Sequence, residues 1–254
     1  DLTRRNGRGI ELTPAGRALL RYAGLVLALV DEAVAAVGAA AAQTERPVRI
    51  GATSSLVTHV LAPILAQLRV FQPDLAFSLE VGNRSQVWKL LASHDIDVAM
   101  STQPPSVEEF ASLATMPNDF VLVARPGAVW PGRLGEVTWV VREEGATTRA
   151  ASDEVIARLG IAPQQLVIGS DEAVRGTIEA GLGIGLLPGD VVAEPVRHRQ
   201  LVTIRTNATP LSKPWHVVVR SGEPLESSVR QFVADLVHAD PRLAWTAAGI
   251  DLLG

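Results

Sequence analysis

The amino-acid sequence predicts an α/β protein in which a basic hairpin and one long helix precede two α/β lobes. Between Leu19 and Val37, apolar residues recur at steps of three or four, which is the spacing of one helix face. After Pro47, short apolar runs alternate with amphipathic stretches, a pattern that indicates parallel strands with helices on the sheet faces. The alternation resumes after residue 119 and predicts a second lobe.

Composition places the chain among soluble globular proteins. Of its 254 residues, 20% are charged and 47% are apolar, and neither value is typical of a disordered or fibrous chain. The formal net charge of −4 argues against the whole chain acting as an electrostatic binder of nucleic acid. Because there is no cysteine, disulfide frameworks and thiolate metal sites are excluded, which fits a reducing compartment.

The sequence favours a cytoplasmic location without a membrane partner. No apolar signal region follows the first residues, Asp-Leu-Thr-Arg-Arg. The longest apolar stretch, residues 23–42, is interrupted by Asp31, Glu32 and Gly38 and is therefore a poor candidate for a membrane span.

Residues 1–12 predict a basic hairpin. Asn6-Gly7 is favoured at the centre of a type I′ turn, because both central positions need a positive φ. Five basic residues against two acidic ones make residues 1–22 locally basic. Three of them surround the turn and are candidate contacts to DNA phosphates or to the minor groove, namely Arg4, Arg5 and Arg8. The alternative is a solvated hairpin with ordinary surface arginines.

A long helix is predicted over residues 13–43, because Thr13 is a favoured N-cap and Pro14 suits the first helical turn. One helix cannot bury its own apolar stripe, so the stripe predicts a partner helix and a dimer. The alternative is a helix packed against its own domain. Residues 44–47 are polar, end in proline and are interpreted as a hinge. The stripe consists of Leu19, Ala23, Val26, Val30, Val34 and Val37.

The remaining sequence divides into the two lobes and a tail. We expect lobe I to comprise residues 48–118 and 208–240, lobe II residues 119–207, and the weakly patterned residues 241–254 a C-terminal tail. Predicted strands are residues 48–52, 76–81, 96–100, 120–125, 139–142, 166–169, 184–187, 201–204 and 215–220. One helix is predicted to start after residue 55 and to end near residue 71. Further helices are predicted over residues 85–93, 147–159, 172–181 and 225–238.

Polar loops follow four of the predicted strands and form the candidate ligand site. Ligands of open α/β sheets bind at the carboxyl ends of strands, and free N–H groups at a helix start favour an anion. We therefore expect a small anionic ligand between the lobes, although Asp171 opposes an anion unless it caps its helix. The alternative for each loop alone is simple helix capping. The candidates are Thr53, Ser54, Ser55, Ser101, Thr102, Thr147, Thr148, Arg149, Ser170 and Asp171.

No motif predicts an enzyme, a metal site or a cofactor. The glycines of residues 181–185 follow a helix and precede a strand, the reverse of the dinucleotide-binding order, and are interpreted as a helix end. The five histidines are scattered without metal-ligand spacing. No nucleophile elbow and no phosphate-binding Gly-Lys-Ser loop is present.

Four stretches resemble the LysR-type transcriptional regulators. Residues 3–16 are similar to the basic wing and the Leu-Thr-x-Ala-Gly start of the linker helix in that family. Residues 48–55, followed by Leu61-Ala62-Pro63 and Phe71-Gln72-Pro73, resemble the start of its effector domain. Residues 90–100 and 170–188 complete the resemblance, which covers most of the chain in the family's order and spacing.

The resemblance implies a two-lobed, periplasmic-binding-protein-like effector domain preceded by the wing and linker helix of a winged helix-turn-helix domain. In the family the recognition helix precedes the wing, so it would lie before Asp1. The implied partners are promoter DNA, a small-molecule effector, further copies of the chain in a homodimer or homotetramer, and RNA polymerase. The polar loops named above correspond to the effector site.

Two segments of the effector domain narrow the resemblance. Residues 142–149 and the dipeptide Gly82-Asn83 are similar to the subgroup that controls carbon-fixation or sulfur-assimilation operons. A stand-alone solute-binding module, which shares the two-lobe architecture, is the alternative function.

Overall fold

The computed structural model describes residues 1–6, 9–42, 46–73, 75–106, 108–128 and 133–253. At the N-terminus, β1 (Thr3–Asn6) and β2 (Gly9–Leu12) form an antiparallel hairpin, and α1 (Pro14–Ala42) follows. The Thr13 side chain accepts a hydrogen bond from the Gly16 amide at 3.0 Å, as the predicted N-cap requires. The predicted hairpin turn at Gly7 and half of the predicted hinge (residues 44 and 45) lie outside the described residues.

Lobe I is built on a six-stranded sheet. Its first part contains β3 (Val48–Thr53), α2 (Ser54–Phe71), β4 (Phe77–Gly82), α3 (Arg84–Ala92), β5 (Val98–Thr102) and β6 (Phe110–Met116). Strand β3 pairs in parallel with both β4 and β5, so these three strands end at the same edge of the sheet. Residues 57–61 give α2 a π-helical stretch.

Lobe II begins directly after β6. It contains β7 (Asp119–Ala124), a short 3₁₀ turn (Leu134–Glu136), β8 (Trp139–Arg142), α4 (Thr147–Leu159), β9 (Gln165–Ile168), α5 (Asp171–Glu179), β10 (Gly185–Pro188), α6 (Gly189–Arg197), β11 (Val202–Ile204) and β12 (Leu211–Ser212). Strand β7 pairs with β10, β11 and β12, and β8 pairs with β9. Because β12 pairs with β7, the chain stays with lobe II past the expected boundary at residue 207.

The chain then returns to lobe I. Strand β13 (Trp215–Arg220) inserts between β5 and β6, and α7 (Ser227–Ala239), β14 (Ala244–Trp245) and α8 (Ala247–Leu253) follow. The two crossing segments are joined, because the Asn118 side chain donates to the Lys213 carbonyl and the Lys213 amide donates to the Asn118 carbonyl, each at 2.9 Å. Both crossings between the lobes therefore run side by side.

Each lobe buries apolar residues on both faces of its sheet. In lobe I, α2 and α7 cover one face and α3 covers the other. Residues 54–71 are apolar and long enough for a membrane span by composition alone, but Leu56, Leu61 and Ile64 of this helix lie in the core. Core packing thus accounts for the apolar character of α2. In lobe II, α4 covers one face and α5 with α6 covers the other.

The predicted α/β class is confirmed, but the prediction of the local elements is incomplete in three places. Strand β6 and helix α6 were not expected from the pattern. The predicted C-terminal tail instead forms β14 and α8, which pack on β6. A Cβ on Gly249 would lie 2.0 Å from the Leu113 carbonyl oxygen, so only glycine permits this close contact.

The glycine-rich segment after α5 ends the helix, as its position predicted. Gly181 has a φ of +87°, and the Leu182 amide donates to the Thr177 carbonyl at 3.2 Å. This is the Schellman arrangement. The chain then enters β10 close to β8, because a Cβ on Gly185 would lie 2.7 Å from the Val140 carbonyl oxygen.

Candidate functional site

A cavity of about 270 Å³, part of it open to solvent, lies where the two lobes meet. One wall follows β3, β4 and the start of β13 in lobe I, and the other follows β8 and the starts of α4 and α5 in lobe II. Thirteen residues line it, namely Thr53, Ser54, Ser55, Gly82, Asn83, Arg84, Phe120, Arg142, Ala146, Thr147, Thr148, Asp171 and Trp215.

The lobe I wall carries two buried polar atoms without a hydrogen-bond partner among the described residues. Thr53 is 6% exposed and its Oγ1 makes no capping bond to α2. Trp215 is 3% exposed, and its Nε1, which can only donate, also has no partner. Leaving such groups buried and unpaired is costly, so each marks a place where a bound molecule would complete the hydrogen bonding.

The lobe II wall holds a buried ion pair. Arg142 ends β8 and Asp171 begins α5, and the Arg142 Nη1 lies 2.8 Å from the Asp171 Oδ1. The Thr148 hydroxyl donates to the same carboxylate oxygen at 2.9 Å. Burial opposes the charge of Arg142, but hydrogen bonds to Glu143 and the nearby Asp171 outweigh it and raise the pKa of Arg142 above its ordinary value.

Glu143 contacts both Arg142 and lobe I. Its two carboxylate oxygens accept from the Arg142 Nε at 2.8 Å and Nη2 at 2.9 Å. Partial burial alone would raise the pKa of Glu143, yet the hydrogen bonds from Arg142, together with one from the Asn83 side chain, lower it below the ordinary value. Asn83 caps α3 of lobe I, so this chain of contacts crosses the cleft.

Direct hydrogen bonds also hold the cleft closed. Thr102 Oγ1 of lobe I donates to Thr147 Oγ1 of lobe II at 2.9 Å, and the Ser85 amide donates to the Gly145 carbonyl at 3.3 Å. Gly145 has a φ of +87°, and a Cβ there would lie 3.1 Å from the Ser85 hydroxyl. The close approach of the two loops therefore favours glycine at this position.

Six of the ten candidates for the ligand site line the cavity: Thr53, Ser54, Ser55, Thr147, Thr148 and Asp171. Ser101 is fully buried beside the cavity, and Thr102 is engaged by Thr147. Ser170 caps α5 by accepting from the Ala173 amide at 3.1 Å. Arg149 instead pairs with Asp153, at 2.9 Å, one helical turn along α4.

Sequence reasoning missed several residues of the cavity. Arg142 had been assigned to a strand and to the narrower resemblance, but not to the ligand site. Phe120 and Trp215 lie at the starts of β7 and β13. Asn83 entered only through the resemblance, and Arg84 stands next to it at the start of α3. A polar residue after the predicted strand of residues 76–81 was the one available signal for these two.

Residues 41–240 of the chain match the protein family described as the LysR substrate binding domain. The chain belongs to the LysR family. The HTH-type transcriptional regulator CbbR of Rhodospirillum rubrum is 28% identical over 241 residues, which are 92% of this chain and 80% of that protein. The RuBisCO operon transcriptional regulator of Allochromatium vinosum is 27% identical over 244 residues, with the same two coverages.

Solved LysR structures share the fold. The regulatory domain of Synechocystis PCC6803 CcmR, determined in complex with 2-PG, superposes with a TM-score of 0.69 at 20% identity and covers 76% of this chain and 96% of that domain. The expected two-lobed effector domain is thereby confirmed. The expectation that the chain is not an enzyme is also confirmed, because the LysR relatives are transcriptional regulators. Two relatives named for the RuBisCO operon agree with the carbon-fixation part of the narrower resemblance.

The arginines of the N-terminal hairpin differ in their surroundings. Arg4 pairs with Glu11 on the neighbouring strand. Arg5 lies opposite Ile10, is exposed and makes no ion pair within the described part of the chain. Arg8 lies outside the described residues. Of the two described arginines, only Arg4 therefore has its charge paired by a carboxylate among the described residues.

Helix α1 leaves the predicted apolar stripe in solvent. Five residues of the stripe are about half exposed or more, namely Leu19, Val26, Val30, Val34 and Val37. A helix packed on its own domain would have buried them, so this alternative does not hold for the single chain. An exposed apolar stripe on a long helix is typical of a surface that pairs with another protein chain.

Proposed function

We propose that this chain is the sensing part of a LysR-type transcriptional regulator and that its effector is a small anionic metabolite bound between the lobes. The observation that carries the proposal is the pair of buried, unpartnered polar atoms, Thr53 Oγ1 and Trp215 Nε1, on one wall of the cavity. Both can donate a hydrogen bond to an oxygen of the ligand.

The charges around the cavity support an anion. Arg84 lines the cavity, and its Nη1 donates to the neutral Gln103 amide at 2.6 Å. No carboxylate among the described residues pairs with Arg84, which leaves its charge available to the ligand. The N-terminal amides of α4, a helix of 13 residues that begins at Thr147, add a partial positive charge on the opposite wall. Arg84 thus takes the role that the sequence suggested for Arg149.

Effector binding would act on the DNA-binding part through the arrangement of the lobes. The ligand shifts the equilibrium only by as much as it prefers one arrangement over the other. The contacts Thr102–Thr147 and Ser85–Gly145 close the cleft. Entry of an effector must therefore open or rearrange these contacts, and this change would be passed to α1 through the segment around Arg46.

The remaining roles follow from the family. The wing arginines Arg4, Arg5 and Arg8 would contact promoter DNA beside the recognition helix, and α1 would pair with a second copy in a dimer or tetramer. Contact with RNA polymerase and a cytoplasmic location complete the proposed setting. Binding of the effector would change the affinity of the oligomer for its operator or the bend it imposes on DNA.

Isothermal calorimetry with matched anionic, neutral and cationic metabolites tests the anion site. We expect a carboxylate or phosphorylated metabolite to bind, and Arg84→Ala to weaken binding about tenfold or more, as the loss of one charge-assisted contact predicts. Arg205→Ala, at an exposed position outside the cavity, is the control and should leave affinity unchanged. Binding restricted to neutral or cationic compounds would contradict the proposal.

A further inference from the structure

Asp171 presents an unused hydrogen-bond acceptor to the cavity. The residue is 2% exposed and lines the cavity wall. Its contacts with the Arg142 Nη1, at 2.8 Å, and with the Thr148 hydroxyl, at 2.9 Å, both fall on Oδ1. Among the described residues, no hydrogen bond falls on Oδ2. A carboxylate oxygen has two acceptor positions, so this atom can accept from a ligand.

The opposite wall offers donors instead. The Trp215 Nε1 can only donate, and the Thr53 hydroxyl is free to donate. Arg84 adds a guanidinium to the same lobe. The cavity is therefore polarised: its lobe I wall suits an anionic group, and its lobe II wall at Asp171 suits a donor.

Arg142 does not reverse this polarity. The guanidinium contacts two carboxylates, those of Asp171 and Glu143, whose two negative charges exceed its single positive charge. Its contact with Asp171 holds the carboxylate in place and leaves little net attraction for a third anion. A ligand anion placed at Asp171 would meet a buried like charge, which is costly in a site shielded from water.

We propose that Asp171 is a specificity-determining residue that selects effectors carrying a hydroxyl or ammonium group beside their anionic group. The inference rests on the proposed anion site and names the class of compound that this site takes. A ligand without such a donor leaves the Oδ2 of Asp171, a residue that lines the cavity, without a hydrogen bond, and sites built to hydrogen-bond a donor strongly reject analogues that lack it.

Three compounds of similar size test the selection: L-lactate carries a hydroxyl, L-alanine an ammonium and propionate neither. Binding to the intact chain is measured by NMR titration, which reaches millimolar affinities. We expect lactate, alanine or both to bind at least about tenfold more tightly than propionate. Their order identifies which donor Asp171 prefers.

Substitutions connect the preference to Asp171. Asp171→Asn should bring the three affinities within about threefold of one another, with the largest loss for alanine, because the charge that attracts its ammonium is gone. Thr148→Val keeps the charge but removes the hydroxyl that holds Oδ1, and should weaken lactate and alanine while sparing propionate. Glu172→Gln is the matched control, since the neighbouring Glu172 does not line the cavity.

The outcomes separate the inference from the proposed function. Equal binding of propionate, lactate and alanine to the unsubstituted chain, with Arg84→Ala weakening all three, overturns the selection by Asp171 and leaves the anion site standing. If none of the three compounds binds, and if Arg84→Ala does not change the affinity for any anionic metabolite, both the anion site and the selection by Asp171 are overturned. If Asp171→Asn does not fold, Thr148→Val tests the selection instead: equal affinities of Thr148→Val and the parent chain for lactate and alanine would overturn it.

Discussion

Thr102 of lobe I and Thr147 of lobe II are joined by a hydrogen bond of 2.9 Å between two buried hydroxyls. Thr102 ends β5 and Thr147 begins α4, so the contact ties a strand end of one lobe to a helix start of the other. It lies beside the cavity whose lining we assign to the effector. The hydrogen bond therefore helps to hold the two lobes together beside the cavity.

Thr102→Val removes the donor of this bond and leaves the Thr147 hydroxyl buried without it. The expected loss in the free energy of unfolding is about 1–2 kcal/mol, the usual cost of one unpaired buried polar group. Urea denaturation of the chain measures it. Thr203→Val, at an exposed position on β11, should change stability by less than about 0.5 kcal/mol. Equal effects of the two substitutions would contradict a stabilising role for the contact between lobes.

Glu154 of α4 forms an ion pair with Lys213, which lies in the segment that returns to lobe I. The Lys213 Nζ lies 2.6 Å from its carboxylate, and this hydrogen bond lowers the pKa of Glu154 below the ordinary value of 4.5. A lowered carboxylate pKa contributes stability that is complete above the unfolded-state value and is lost as the pH falls through the folded-state value. Glu154→Gln should therefore destabilise the chain at pH 7, and the difference should shrink as the pH falls below 4.5.

Thermal unfolding at a series of pH values checks this dependence. Glu80→Gln, which replaces an exposed carboxylate that makes no ion pair within the described residues, serves as the control and should show no comparable change. A difference between Glu154→Gln and the parent chain that stays constant from pH 7 to pH 3 would show that the Lys213 contact is not the cause.

Asp97 anchors the segment that follows the hinge. It accepts from the Arg46 Nη2 at 2.7 Å and from the Arg49 amide at 2.8 Å, and it is 6% exposed. Asp97→Ala leaves two cations near the core without their partner, so we expect a loss of about 3 kcal/mol or more in unfolding free energy. Asp153→Ala, which breaks the more exposed pair with Arg149, should cost less than about 1 kcal/mol. Urea denaturation distinguishes the two values.

Local pattern was sufficient to predict many, but not all, of the helices and strands. Helix α4 and strands β8 and β13 have the predicted bounds, because each is a short periodic run between clear turn signals. Helix α6 escaped prediction because Gly189 and Pro195, ordinarily turn residues, lie inside it. Strand β6 was missed, because neither a strand nor a helix was predicted between residues 100 and 120.

Only those cavity residues that follow the end of a strand could be predicted from the sequence. Thr53 and Thr147 follow strands whose ends face each other, and both line the cavity. Arg142 and Trp215 line it as well, but their positions depend on how the two lobes are oriented, which no local pattern encodes. Arg149 is directed to Asp153 by the geometry of its own helix, where residues four apart are neighbours.

The two described arginines of the wing should differ in their effect on DNA binding. Arg4 is already paired with Glu11, whereas Arg5 makes no ion pair within the described residues. In a regulator that includes the recognition helix, Arg5→Ala should weaken operator binding uniformly and reduce the slope of log affinity against log salt by about one. Arg4→Ala should have the smaller effect. A salt titration by fluorescence anisotropy compares them, and equal slopes for Arg5→Ala and the parent would exclude a phosphate contact.

Val30 lies in the middle of the exposed apolar stripe of α1 and is 52% exposed in the single chain. If the stripe pairs with a second copy, Val30→Glu places a charge from each copy into one apolar seam, and burying two like charges there strongly opposes association. We expect the mass measured by sedimentation or light scattering to fall toward that of one chain, 26.9 kDa, at micromolar concentration. Asp31→Asn alters the adjacent position outside the stripe and should leave the mass of the oligomer unchanged. An oligomer that survives Val30→Glu would place the contact between copies on the effector lobes instead of on α1.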